Sequence, residues 1–311
     1  NLLSPQDMKN DYMSEIGYGA LMGVLRNYEV LNPFVTSSND AFNRLVPGFE
    51  APVCIVTSLG HSYTNPSRNR SILIGLIRDI NSPLATRFEL RSPNPLSNTY
   101  LVIAGLYQTM LHGIKKVAES KLTTKELEKE LSKDIGEEGF YLDKNRAYRD
   151  ENDVFEHYTE EERNRRYSKP PATVYENVKG LENNKEKLDS LTQGDVFSNK
   201  TINSFVSSIL DKWSKELNYR IIQSNIKIIR GCKKLHTVEN MDAIDEIHWN
   251  KIENLKIELM KNTMTKKSLF CLIKEALEIH DYEMASKLQL EMNKKMEELQ
   301  ELYIHYKKNI F

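Results

Sequence analysis

Between residues 53 and 90, three short β-type runs (53–57, 71–77 and 86–90) alternate with loops rich in Asn, Ser, Pro and Gly. On both sides the apolar residues return to helical spacing: Ile16, Tyr18, Ala20, Leu21, Val24, Leu25 and Tyr28 mark one amphipathic helix over 14–32 that Asn32-Pro33 should stop, and 100–117 predicts a largely apolar, buried helix. Strands too short to form a sheet-only core, set between helices, require a mixed core, so the fold class is α+β. From about Asn240 onward the pattern is helical throughout, and no repeat of solenoid length is present.

The chain has 311 residues, more than the roughly 100–200 usual for one domain. Its 43 basic and 44 acidic residues nearly cancel, so nothing draws the whole molecule to nucleic acid or an anionic membrane, and any anion site must be local. Cys54, Cys232 and Cys271 form no CxxC pair, which fits free thiols in a reducing compartment and gives the cytoplasm as the expected location. No apolar run has membrane-spanning length, and no signal segment opens the chain. Asn1 is not an initiator methionine, and the expectation is a piece of a longer protein.

Residues 120–168 are dense in charge, yet Phe140, Tyr141, Tyr148, Phe155, Tyr158 and Tyr167 are interleaved, which predicts an ordered surface insertion. Lys169-Pro170-Pro171 breaks the chain before further helix, and 194–198 turns into a helix over 200–217.

Three stretches carry candidate chemistry. In Asn43-Arg44-Leu45-Val46-Pro47-Gly48-Phe49-Glu50-Ala51-Pro52, Arg44 and Glu50 flank a Pro-Gly turn; alone this is an ordinary surface ion pair. In Thr86-Arg87-Phe88-Glu89-Leu90-Arg91 the strand period puts Arg87, Glu89 and Arg91 on one face, either an exposed ion-pair ladder or the lining of a site. Arg70, in Asn69-Arg70-Ser71, stands where a loop enters a strand and suits bidentate binding of phosphate or carboxylate.

In order and spacing these three stretches resemble successive motifs of the glutamine synthetase catalytic domain, and with the insertion set aside the resemblance covers residues 10–225. It implies the C-terminal part of that domain, an antiparallel sheet with helices at 1–225, followed by an all-helical extension at 226–311. It further implies ATP-dependent ligation of glutamate and ammonium through a γ-glutamyl phosphate, with Mg2+ or Mn2+, in a homo-oligomer whose active sites lie between subunits. By the same resemblance Arg44 contacts glutamate or the intermediate and Arg91 the glutamate carboxylate. Glu50 lies over the substrate and holds or deprotonates ammonium, Arg70 meets the transferring phosphate, Arg87 lies beside the nucleotide phosphates, and Glu89 is a metal ligand. The residue types suit that chemistry, since clustered phosphate and carboxylate oxygens need fixed positive charge and a hard cation.

Some positions depart from the family pattern. Gly75 stands where a second arginine is usual, leaving Arg78 as the nearest; Leu84 replaces a basic residue, and Asn94 an aspartate. The family's N-terminal β domain, first acidic metal strand and His-containing segment have no counterpart before Asn1. The competing expectation is therefore a catalytically silent scaffold acting through its helical tail.

In that tail, Met292, Met296, Leu299, Tyr303, Tyr306 and Ile310 recur in steps of four and three, the spacing of a packed seam. Asp281 is placed to cap a second helix after one over 266–279, predicting an antiparallel hairpin. Residues 276–290 also resemble the short helical-hairpin motif of nucleotide-excision-repair proteins, over too few residues to imply a function. His236, His248, His280 and His305 form no compact cluster, so no zinc is assigned.

Overall fold

The computed structural model describes residues 1–45, 54–240 and 242–310. The chain forms two compact units, Asn1–Ile209 and Leu210–Phe311.

In the first unit, Ser14 caps α1 (Glu15–Arg26) by accepting the Gly17 N–H. The helix expected over 14–32 breaks earlier, at Asn27, whose side-chain amide donates to the Gly23 carbonyl (2.8 Å) and to the Tyr141 hydroxyl (3.0 Å). The chain restarts as α2 (Tyr28–Val35), and Pro33 lies inside that helix where it was expected to end one.

β1 (Thr57–Ser58), β2 (Ile74–Asp79) and β3 (Ser82–Leu90) form a sheet in that order. β2 and β3 are antiparallel, as expected, but β1 runs parallel to β2. The sheet is therefore mixed, and the stretch 59–73 supplies the crossover that a parallel pair requires. The outer edge of β1 is occupied: Thr57 N–H donates to the Tyr148 carbonyl (2.8 Å) and Asp150 N–H to the Thr57 carbonyl (2.9 Å).

α3 (Thr99–Ser120) is capped by Asn98 and packs against α1 with almost no side chain between the backbones. A Cβ at Gly113 would fall 2.1 Å from the Gly19 carbonyl oxygen, and one at Gly23 would fall 2.2 Å from that of Thr109. The helix is not wholly buried as its composition suggested, because its neighbours α1, α2 and the later helix at Asp189–Thr192 leave one side uncovered. Tyr100, Ile103, Tyr107 and Leu111 stand on the exposed side.

The charged stretch after α3 is ordered. α4 (Thr124–Leu131) and α6 (Glu160–Tyr167), on either side of the short α5 (Val154–His157), each open with a capping box, built by Thr123 with Glu126 and by Thr159 with Glu162. Tyr141, Tyr148 and Tyr167 are buried in the cores. α7 (Val174–Asn183), α8 (Asp189–Thr192) and the start of α9 (Asn199–Glu216) close the unit around Val30, Phe34, Leu181, Leu191, Phe197 and Ile202. Pro33 has no N–H to offer the Glu29 carbonyl. That carbonyl faces Gly180 of α7, where a Cβ would approach it to 2.6 Å.

A buried ionic cluster ties these segments together. Arg146 pairs with Glu29, Lys187 reaches Asp143 (2.7 Å) and Glu29 (3.4 Å), and Arg26 lies 3.6 Å from Asp143. The Arg146 and Lys187 side chains are only 6% and 5% exposed, so each needs its partners. Burial alone would raise the Asp143 carboxyl, but the hydrogen bond and charge of Lys187, with Arg26 and Arg146, outweigh it and hold the group below its ordinary value.

The second unit is all helical among its described residues. The end of α9 passes through a π turn, Leu217–Ile221, into α10 (Ile222–Gly231), followed by α11 (Ala243–Met260), α12 (Leu269–Glu278) and α13 (Tyr282–Ile310). α13 packs on both α11 and α12, burying Met292, Met296, Leu299 and Tyr306, while Tyr303 and Ile310 are half-buried. The Trp213 indole donates to Gln289 (2.8 Å), the Tyr306 hydroxyl bonds to His236 Nδ1 (2.7 Å), and Asp281 accepts the Met284 N–H (3.0 Å). No helix among the described residues is long and apolar enough to cross a membrane.

Two stability measurements check this packing. Gly113→Ala forces α1 and α3 apart and should cost ~3 kcal/mol in denaturant unfolding. Asp143→Asn should cost about 1–3 kcal/mol at neutral pH. Because the folded carboxyl titrates below its ordinary value of 3.8, the gap from wild type should persist above that pH and close as pH falls below it.

Candidate functional site

The register of β2 on β3 sorts the charges. Gly75 stands opposite Glu89 and Ile77 opposite Arg87, while Ile74 pairs with Leu90 and Leu76 with Phe88. Paired residues share a face, so Arg87, Glu89 and Arg91 project on the side of Gly75, and Phe88 and Leu90 project into the core with Ile74 and Leu76. This is the alternation expected from the sequence.

Arg91 lies across that face. Its Nη2 is 2.9 Å from Glu89 Oε2, its side chain is 13% exposed, and a Cβ at Gly75 would be 3.5 Å from the same Nη2. Gly75 therefore provides the floor beneath this guanidinium, and the space a larger side chain would need there is taken by Arg91. Arg87 is exposed and donates to the Ala85 carbonyl (3.2 Å). Arg78 does not substitute for the missing arginine. It is buried, donates to the carbonyls of Met8 (2.6 Å) and Asp11 (3.0 Å), and its guanidinium lies 5.9 Å from the Tyr12 ring centre.

Arg44 ends a 3-10 turn, Asn39–Arg44, and its Nη1 lies 3.4 Å from the Pro93 carbonyl oxygen, just past Arg91 in the chain. That loop is pinned to α2: the Tyr28 hydroxyl donates to Ser92 (2.5 Å) and the Ser97 hydroxyl to the Val35 carbonyl (2.6 Å). Arg44 is thereby placed beside the loop that follows Arg91. Arg70 is exposed on the loop that leads into β2, inside an Asx turn in which the Asn69 side-chain oxygen accepts from the Ser71 N–H (2.8 Å) and hydroxyl (2.7 Å). Glu50 lies outside the described residues, with the rest of 46–53.

The residues that sequence reasoning passed over are Arg149 and Glu151. Their charges sit in a stretch where charge is everywhere, with no spacing to single them out, yet they contact the loop after β1, and Asn152 and Val154 next to them contact Asn69 and Ser71 beside Arg70. An open polar cleft of about 470 Å³ lies over them, bordered by His61 and Tyr158, and none of the residues of the charged β3 face lines it.

The segment that carries these motifs matches a known family: residues 1–138 fit the model described as glutamine synthetase, catalytic domain. Over these residues the chain is similar to the glutamine synthetase catalytic domain. The chain is 39% identical over 118 residues to the glutamine synthetase of Azotobacter vinelandii, covering 35% of this chain and 23% of that protein. It is 38% identical over 118 residues to that of Pseudomonas aeruginosa, with the same coverage, and 37% identical over 103 residues to that of Escherichia coli K12, covering 33% of this chain and 20% of that protein. The chain thus spans about a quarter of the length of the curated glutamine synthetases it matches. All six motif residues fall inside the matched segment, whereas Arg149 and Glu151 fall beyond it.

At Gly75 an added Cβ meets only ordinary contacts, the nearest being Ile72 at 3.4 Å. Gly75→Ala should therefore leave stability unchanged or raise it by about 0.5 kcal/mol, since a strand glycine loses backbone entropy for no packing. Gly75→Arg should be destabilising by displacing Arg91 from Glu89; thermal melts of the two variants decide the geometry.

Proposed function

We propose that this chain is part of an ATP-dependent ligase that joins glutamate to ammonium through a γ-glutamyl phosphate. The observation that carries the reading is the catalytic-domain match, whose span includes Arg44, Glu50, Arg70, Arg87, Glu89 and Arg91. Arg91, on the face of β3, and Arg44, beside the loop that follows it, hold the glutamate carboxylate and the anionic intermediate. Arg70 meets the phosphate in transfer and Arg87 the nucleotide phosphates. Guanidinium groups suit these tasks because each presents planar donors that bind carboxylate or phosphate in two-pronged fashion. Glu50, an anion over the substrate, holds ammonium and accepts its proton. Cytoplasmic location and a homo-oligomer with sites between subunits belong to the same reading.

The described residues do not by themselves fit the Mg2+ or Mn2+ this chemistry implies. Such ions need several oxygen ligands, but Glu89 is paired with Arg91, and no group of three His, Cys, Asp or Glu side chains gathers among the described residues. Glu89 can serve as one ligand only, and no step is routed through the metal. The same observation favours the second reading, a catalytically silent synthetase-like scaffold that acts through its helical tail.

Glutamine formation from glutamate, ammonium and ATP separates the two, measured on the 311-residue chain and on the full reading frame that contains it. Activity confined to the longer protein, abolished by Glu50→Gln with the fold intact, is the expected result. Inactivity of both proteins, each folded, would establish the scaffold.

A further inference from the structure

We infer that residues 149–154, beyond the matched synthetase segment, are a brace that positions the Arg70 loop, with Glu151 as the positioning residue that anchors it. The significance of Arg70 rests on the function proposed above; the brace itself rests on contacts. Glu151 is the centre of a convergence of donors: its carboxylate accepts from the Ser58 hydroxyl, from the backbone N–H groups of Gly60 (2.7 Å) and Leu59 (3.2 Å), and from Arg149 Nε (2.6 Å). Arg149 is fixed in turn by Ser132 (3.0 Å) and Tyr12 (3.3 Å) and lies 3.6 Å from Glu128. Hydrogen bonds to an ionised acceptor are the strong ones, so this junction is the firmest point between the segment and the loop after β1.

From that anchor the segment reaches both neighbours of Arg70. The Asn69 side-chain amide donates to the Asn152 carbonyl (2.7 Å), and the Val154 N–H donates to the Ser71 hydroxyl (3.1 Å). Asp150 stiffens the span between: its N–H pairs with Thr57, and its carboxylate accepts from Asn152 N–H (2.9 Å) and the hydroxyls of Tyr158 (2.8 Å) and Tyr167 (2.5 Å). Arg70 is thus flanked by two residues clamped to one hydrogen-bonded segment, while its own side chain stays exposed at the surface. A loop held on both sides loses little further entropy when an anion binds to the residue between.

Hydrogen–deuterium exchange of the full chain tests this. In Glu151→Ala, amides at 58–60 and 69–71 should exchange at least tenfold faster than in wild type while those of α1 and α3 keep their rates, and Glu151→Gln, which retains an acceptor oxygen, should recover part of the protection. Ser71→Ala, which cuts the brace at its far end, should speed exchange at 69–71 and leave 58–60 unchanged. Unaltered exchange at 69–71 in both alanine variants, or a rise only in step with the whole unit, would overturn the brace. The readout uses no substrate, so a negative ligase assay would leave the brace standing, and a positive one could not rescue it.

Discussion

The antiparallel register of β2 on β3 is the constraint on which the candidate site depends. With Gly75 opposite Glu89 and Leu76 opposite Phe88, every charge of β3 falls on one side and every large apolar residue on the other. A slip by one residue would drive Arg87 and Arg91 into the core and expose Phe88 and Leu90, which is why the buried face alone suffices to fix the register. The core under the sheet is secured in turn by α1, whose Gly19 and Gly23 let α3 approach to backbone contact. Helix packing this close leaves no adjustable side chain between the two backbones, so the sheet rests on a stiff layer.

The segments following the matched residues are fastened by polar rather than apolar contacts at their decisive points. Arg146, Lys187, Glu29, Asp143 and Arg26 form one buried cluster in the first unit, and Glu151 with Arg149 and the loop at 58–60 forms a second junction. Ion pairs in low dielectric add little net stability, but an unpaired member is costly, so such clusters discriminate strongly between the right docking and any other. Tyr141, Tyr148 and Tyr167 supply the apolar burial that accompanies them. A stretch that by composition belongs on the surface is thereby drawn into the core.

Period-two alternation from Arg87 to Arg91 was legible in the sequence because a strand with one buried face leaves that pattern whatever its neighbours are. Other features were not legible because they depend on partners distant in the chain. Asn32-Pro33 read as a stop, yet Pro33 lies inside α2, where the Glu29 carbonyl that loses its N–H partner packs closely against Gly180. The break lies instead at Asn27, whose amide finds Tyr141, a residue 114 positions on. Residues 100–117 read as buried because they are apolar, but apolar composition says that a surface can be covered, not by what, and Tyr100 and Tyr107 remain open among the described residues. Arg78 looked like a possible stand-in at the charged face; only the carbonyls of Met8 and Asp11 reveal that it serves the core. The Arg70 motif itself could be read, while its support could not, since Asn152 acts through a backbone carbonyl that any residue would have supplied.

The charges on the β3 face also set what that face attracts. On the β3 face two guanidiniums accompany one carboxylate, and Arg44 adds a third cation near the following loop. Glu89 already has Arg91 at 2.9 Å, so the pair leaves a net positive face, suited to carboxylate and phosphate oxygens. A divalent cation approaching Glu89 would meet Arg91 first, and it becomes favourable there only if further carboxylates offset that repulsion or an anion draws Arg91 away. An anion bound by Arg91 would weaken its hold on the one Glu89 oxygen it pairs with. Any such change of partner is confined by Gly75, whose missing side chain leaves the guanidinium its place on this face: an added Cβ there would lie 3.5 Å from Arg91 Nη2.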